Sequence, residues 1–196
     1  MSLLKKIVIN LIVFCGLAIG GGLGSAWYMI EAGSRLSTRS NGPWVTWSAA
    51  GRVDADPYTR AHMVRDSLLP LSSTLELSYR AKTDSTGGRL HSGCDYRIVM
   101  SGFDGAWWSL AAFDTQGRVI ANPAERHAFN RDTVMREPDG SAIISMARDA
   151  RSGNWLPIGS GRFTLVLSIQ DPALAARVYD SGASKPLPEI KRTACR

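Results

Sequence analysis

Residues 94–102 read CDYRIVMSG, with Tyr96, Ile98 and Met100 at every second position. Successive side chains of a strand point to opposite faces, so these three share one face and call for a second layer to cover it. The same alternation runs through STLELSYRA (residues 73–81), where Leu75, Leu77 and Tyr79 fall together. AWWSLAAFD (106–114) follows as a strand, then the turn DTQG, then a strand in RVIANP (118–123). In TVMREPDGSAIISMA (133–147), Pro-Asp-Gly between two apolar runs predicts a hairpin. GRFTLVLSIQD (161–171) reads as a buried strand ended by Asp171-Pro172, and PEIKRT (188–193) as a last strand. Short strands at roughly ten-residue spacing, punctuated by Gly, Asp and Pro, predict an antiparallel β-sandwich or barrel.

Upstream, WVTWSA (44–49) reads as a strand. DADPYTRAHMVRDSLLPL (54–71) holds one helix, with Asp56 as N-cap and Pro57 at its first position. Ala61, Val64, Leu68 and Leu69 follow helical spacing, and Pro70 ends it. Residues 31–43 read as a linker, leaving 44–196 as a single domain large enough to bury a core.

The first 30 residues are different in kind. Lys5 and Lys6 precede Ile7–Ile30, 24 residues without a charge. About 20 apolar residues cross the hydrocarbon as a helix. Trp27 and Tyr28 sit where an interfacial aromatic belt lies. The expected organisation is a cytoplasmic tail (1–6), a transmembrane anchor (7–30), the linker and an extracytoplasmic domain. The rival reading is a cleaved signal peptide with GLGSA as its cleavage site. Trp-Tyr-Met-Ile continues past that site and favours an uncleaved anchor. Gly16, Gly20 and Gly24 recur every four residues on one face, which would let a second helix approach closely; in a Gly-rich segment the spacing can also be incidental.

This placement bears on the cysteines. Cys15 lies in the anchor, while Cys94 and Cys195 lie in the domain. Two thiols outside the cytoplasm are expected to oxidise to a disulfide, which would tie down a Ser-, Gly- and Pro-rich tail. The chain has 196 residues, 44% hydrophobic and 20% charged, with a formal charge of +6. Its Arg and Lys are interspersed with acids, as in RVDADPYTRAHMVRD, so no clustered nucleic-acid footprint exists. Mild attraction to an anionic membrane surface is the more natural consequence.

ADPYTRAH, CDYRIVMSG, WWSLAAFDTQGRVIANPAERHAF, REPDGSAIISM, GNWLP and FTLVLSIQDP occur in that order. Together they resemble the bacterial family known as domain of unknown function 1214, from about residue 50 to the end. The chain is similar to short, singly anchored members that carry both a Cys-Asp-Tyr-Arg segment and a C-terminal Cys. The resemblance implies a jelly-roll-like sandwich and association with a companion family, domain of unknown function 1254. It implies no established reaction, so no catalytic residue carries over.

The residues show no local catalytic signature. No Gly-x-Ser-x-Gly elbow, phosphate loop or dinucleotide fingerprint occurs. His62, His91 and His127 lack metal-ligand spacing, so no metal site or cofactor is expected. Asp104, Asp114, Asp139 and Asp171 fall at apparent turns, where Asp is favoured for local hydrogen bonds. Arg126 with Asn122, and Arg60 with Tyr58, either clamp their loops or contact an anion. Trp107 and Trp108 must face opposite sides of a sheet, and Trp155 lies in an apparent loop. Trp108 and Trp155 are the candidates for an exposed aromatic contact. The expected role is a periplasmic, inner-membrane module that binds a protein partner, a second copy of itself or an envelope glycan. The alternative is an envelope hydrolase whose site is assembled from distant residues.

Overall fold

The computed structural model describes residues 3–31, 37–65, 70–102, 106–171, 173–174 and 187–196. Helix α1 spans Leu3–Glu31, a single helix long and apolar enough to cross a membrane. Strands β1 (Thr38–Asn41) and β2 (Trp44–Trp47) precede helix α2 (Pro57–Arg65). Strands β3 (Leu77–Ala81), β4 (Cys94–Met100), β5 (Trp107–Asp114) and β6 (Ala128–Asn130) follow. Strands β7 (Ala142–Ala147), β8 (Asn154–Pro157), β9 (Phe163–Gln170) and β10 (Ile190–Cys195) complete the chain.

The strands form two sheets, a six-stranded β1-β2-β3-β9-β5-β6 and a four-stranded β10-β4-β7-β8. One core draws on the inner faces of both. Leu77 and Tyr79 of β3, Trp108 and Leu110 of β5, and Leu165 and Leu167 of β9 meet Tyr96 and Ile98 of β4 and Ile144 and Met146 of β7. Tyr96 of one sheet packs edge-on against Phe163 of the other, with ring centroids 5.7 Å apart. The alternation in CDYRIVM is therefore the inner face of a sandwich, as the sequence predicts.

Several local expectations change. β1 lies inside the stretch read as a linker and pairs with β2. Its sequence, TRSN, has no apolar alternation because it is a polar edge strand. Gly42, at φ 59°, and Pro43 make the tight two-residue loop between β1 and β2. Leu75 lies outside β3 and is exposed, apart from Leu77 and Tyr79. RVIANP forms no strand; only a single bridge joins Val119 to Phe113. The hairpin expected around Pro138-Asp139-Gly140 has its turn, closed by Glu137 N–H donating to the Ser141 carbonyl (2.7 Å), but only one strand. The preceding segment is instead held by Asn154, whose carboxamide accepts from Met135 N–H (2.7 Å) and donates to the Met135 and Ile143 carbonyls.

That side chain also explains an unexpected pairing. Trp155 stands in β8 rather than in a loop, and β8 runs parallel to β7 across a connection of only six residues. Parallel neighbours ordinarily need a longer crossover. Here Asn154, and Trp155 Nε1 donating to the Ala147 carbonyl (3.0 Å), dock the short edge strand from its side chains.

Asp56 caps α2 as expected, its carboxylate accepting from Tyr58 N–H, Thr59 N–H and the Thr59 hydroxyl. The buried face is not the one the spacing suggests. Thr59, His62 and Met63 point inward, whereas Val64 is exposed. The reason is a polar contact: His62 packs against Trp47 with the rings tilted (centroids 4.8 Å apart), and its Nε2 donates to the Met29 carbonyl of α1 (3.3 Å). Residues 66–69, with Leu68 and Leu69 of the expected helix, lie outside the described residues, as do Asp104 and Pro172.

The C-terminal strand is strapped to the sandwich at several points. β10 pairs with β4, and Cys195 is bonded to Cys94 with Cα atoms 3.9 Å apart. Trp44 Nε1 donates to the Pro188 carbonyl (2.8 Å). Arg192 reaches the fully buried Asp84 carboxylate, and a side chain at Gly88 would collide with the guanidinium. Burial pushes the Asp84 carboxyl up, but donors from Thr86, Arg192 and Gly88 outweigh it and hold it below 3.8. A carboxylate whose folded value is depressed stabilises the fold above its unfolded value and loses that contribution as pH falls through the folded one. Acid titration of unfolding should therefore show stability falling below pH 3.8 less steeply in D84N than in the wild type. Equal slopes in the two chains would remove Asp84 from the acid response.

Candidate functional site

Strand alternation and sheet order build the site. The residues between the core positions of β3 face outward, so Ser78 and Arg80 stand on the exposed face of the six-stranded sheet. Pairing places Val45 of β2 on one side of Arg80 and Val166 of β9 on the other. Beyond Val166 lies Ala111 of β5. The floor is small and mostly polar, with Ser78, Ser168 and Ser109 in register across three strands. Half-buried Trp47, Trp107 and Phe113 stand on this same face.

Two cavities open on it. One, of about 800 Å³, runs from Glu31 at the end of α1 past Trp47 and His62 to Arg65, Arg80 and Lys82. The other, of about 750 Å³, continues from the same three cations to Phe113, Thr164 and Val166. They form one groove whose middle is cationic. Arg65 donates to the Ile30 carbonyl (2.9 Å) and to the Glu31 carboxylate (2.8 Å), fastening α2 to the end of α1. Neither Arg80 nor Lys82 has a carboxylate partner among the described residues. Asp114, in the far cavity, is engaged with Arg118 (2.9 Å).

The residues singled out in the sequence do not gather here. Trp108 is only 2% exposed and belongs to the core; its neighbour Trp107 is the one that faces out. Asn122 closes its loop, accepting from Arg126 N–H (3.1 Å) and donating to the Arg126 carbonyl (2.9 Å). Arg126 donates to the Trp155 carbonyl (3.1 Å) and lies over Phe129, so it clamps backbone. Arg60 does the same at the Val53 carbonyl (2.6 Å), and Tyr58 offers its N–H to the Asp56 cap. The histidines stay apart. His62 binds α1, His91 Nδ1 accepts from Gly93 N–H (2.9 Å), and His127 Nδ1 donates to the Ile120 carbonyl (3.1 Å). Asp114, Asp139 and Asp171 each accept backbone N–H groups of the following turn. Among the described residues no three metal-ligating side chains converge.

Gly16, Gly20 and Gly24 remain on α1 with open space around each. Tyr79 ends in a buried hydroxyl without a partner among the described residues, and burial pushes the phenol up to about 12. It faces the core, not the groove. Arg80 and Lys82 had one signal in the sequence, their phase opposite to Leu77, Tyr79 and Ala81. Nothing local marked that phase as the face beside the end of α1.

Comparison with known proteins agrees with this architecture. The family described as Protein of unknown function (DUF1214) matches residues 76–174, about half of the chain. No curated protein matches. The crystal structure of the VPA0106 protein from Vibrio parahaemolyticus is similar over 89% of this chain at 18% identity, with a TM-score of 0.65. The similarity covers 44% of that protein, so the present chain spans less than half its length. An uncharacterized protein from Burkholderia cenocepacia is similar over 62% of this chain and 29% of its own, at 17% identity and a TM-score of 0.40.

Proposed function

We propose, from the premise that this chain belongs to the DUF1214 family, that it is a membrane-tethered binding module. It stands outside the cytoplasm on an uncleaved inner-membrane anchor. Its partner is a protein, the companion of the domain of unknown function 1254 family, engaged on the outer face of the six-stranded sheet. The observation that carries this reading is the composition of that face. Trp47 and Phe113 stand half-exposed beside Arg80 and Lys82, which have no carboxylate partner among the described residues, and Trp107 stands half-exposed farther along the same face. Exposed aromatic and Arg side chains on a rigid sheet are the usual anchors of an interface. By contrast, the titratable groups that might have served chemistry are engaged in caps, turns and clamps. The hydrogen bonds from His62 and Arg65 to the end of α1 favour an anchor retained as part of the domain. An envelope glycan is the second reading, favoured by the same half-exposed rings, which suit stacking on sugars.

Affinity purification of the full chain from native membranes tests the proposal. A second protein should accompany the wild type, and W107A should reduce its recovery at least tenfold while leaving the fold intact. A single hot-spot aromatic is worth about 2 kcal/mol or more. Equal recovery with W107A would move the interface elsewhere. Recovery of polysaccharide without protein would favour the glycan.

A further inference from the structure

We infer that the anchor-proximal end of the groove holds the headgroup of an anionic phospholipid from the leaflet in which α1 ends. The inference rests on depth and charge; it shares Arg80 and Lys82 with the protein-partner reading, and lipid preference measured on the chain alone tells the two apart. The uncharged run begins at Ile7, and about 20 residues cross the hydrocarbon. At about 1.5 Å per residue, Glu31 then stands roughly 7 Å beyond the hydrocarbon edge, within the headgroup layer. His62 and Arg65 bind the Met29 and Ile30 carbonyls, so α2 is fixed at that level. The cavity they share with Glu31 also contains Arg80 and Lys82.

The charges fit a phosphate. Among the described residues Glu31 is the only carboxylate lining that cavity, and it is engaged by Arg65. That leaves Arg80 and Lys82 without a counter-ion among the described residues. A guanidinium offers a planar fork to phosphate oxygens and an ammonium adds a point charge. Pro43, Val45 and Trp47 give the same cavity an apolar wall, suited to the glycerol backbone below a headgroup. A phospholipid is also the anion that this layer supplies at high local concentration, which selects it over an acidic peptide.

The test uses the full chain reconstituted in phosphatidylcholine bilayers with spin-labelled phosphatidylglycerol or phosphatidylcholine as the probe. The motionally restricted fraction gives the relative association constant of each. Phosphatidylglycerol should be preferred in the wild type. Each basic residue near an anionic surface contributes roughly fivefold, so R80Q/K82Q should lower that preference roughly twentyfold or more. The charge-matched control R97Q/K191Q, on the outer face of the other sheet, should lower it less than threefold. The inference is overturned by any of three results: no preference for phosphatidylglycerol, an equal loss in both double variants, or a loss of protein partner in R80Q/K82Q with lipid preference unchanged. Near-ultraviolet circular dichroism on each variant establishes that the sandwich is intact, so that a null result counts.

Discussion

Removing the Cys94–Cys195 bridge should lower the unfolding free energy by about 4.7 kcal/mol, the loop-closure value for a ring of about 100 residues. The two residues are separated by 101 positions, so the open chain regains nearly the freedom of half its length. The folded side has less to lose. β10 still pairs with β4, Arg192 still reaches Asp84, and Trp44 still binds the Pro188 carbonyl. The double variant C94A/C195A should therefore keep its fold in buffer and unfold at a much lower urea concentration. At a slope of roughly 2 kcal/mol per molar, the midpoint should fall by about 2 M. A shift below about 0.5 M would mean that the ring constrains the unfolded chain far less than its length implies.

Trp108→Ala should cost about 3–5 kcal/mol, the range for deleting a large buried aromatic. Trp108 is paired with Ile169 and packed in the centre of the sandwich beside Leu110 and Leu167. Its neighbour behaves oppositely. Trp107 stands on the outer face, so Trp107→Ala should cost less than about 1 kcal/mol of stability and act on binding instead. Urea denaturation of the two single variants separates these effects. A comparable loss in both would mean that the outer face is covered as firmly as the core.

That pair shows how far the sequence could be read. WWSLAAFD puts Trp108 in phase with Leu110 and Ala112, and Trp107 in phase with Ser109, so the alternation itself marks Trp108 as the core member, against the expectation that named it an exposed candidate. The same alternation made β3, β4 and β9 legible, because each has one apolar face. The edges were not. β1 is polar, and β8 is short and held by Asn154 and Trp155, whose partners lie 19 and 8 residues upstream and follow no periodic pattern. The disulfide was legible because only Cys94 and Cys195 lie outside the apolar N-terminal run. The groove was not, since Arg80 and Lys82 come to stand beside Glu31 only through the β2–β3 pairing and the packing of α2 on α1. The buried face of α2 was misread for a similar reason: its inward residues answer to Trp47 and Met29, not to an apolar stripe of its own.

The disulfide and the partner surface both require the sandwich to stand outside the cytoplasm, with Lys5 and Lys6 inside it. Alkaline phosphatase fused after Arg196 of the full chain measures this directly, because the enzyme folds only where its own disulfides form. The account predicts an active fusion that remains with the membrane fraction after salt and carbonate washing. An inactive phosphatase, with a cytoplasmic reporter active at the same position, would contradict it.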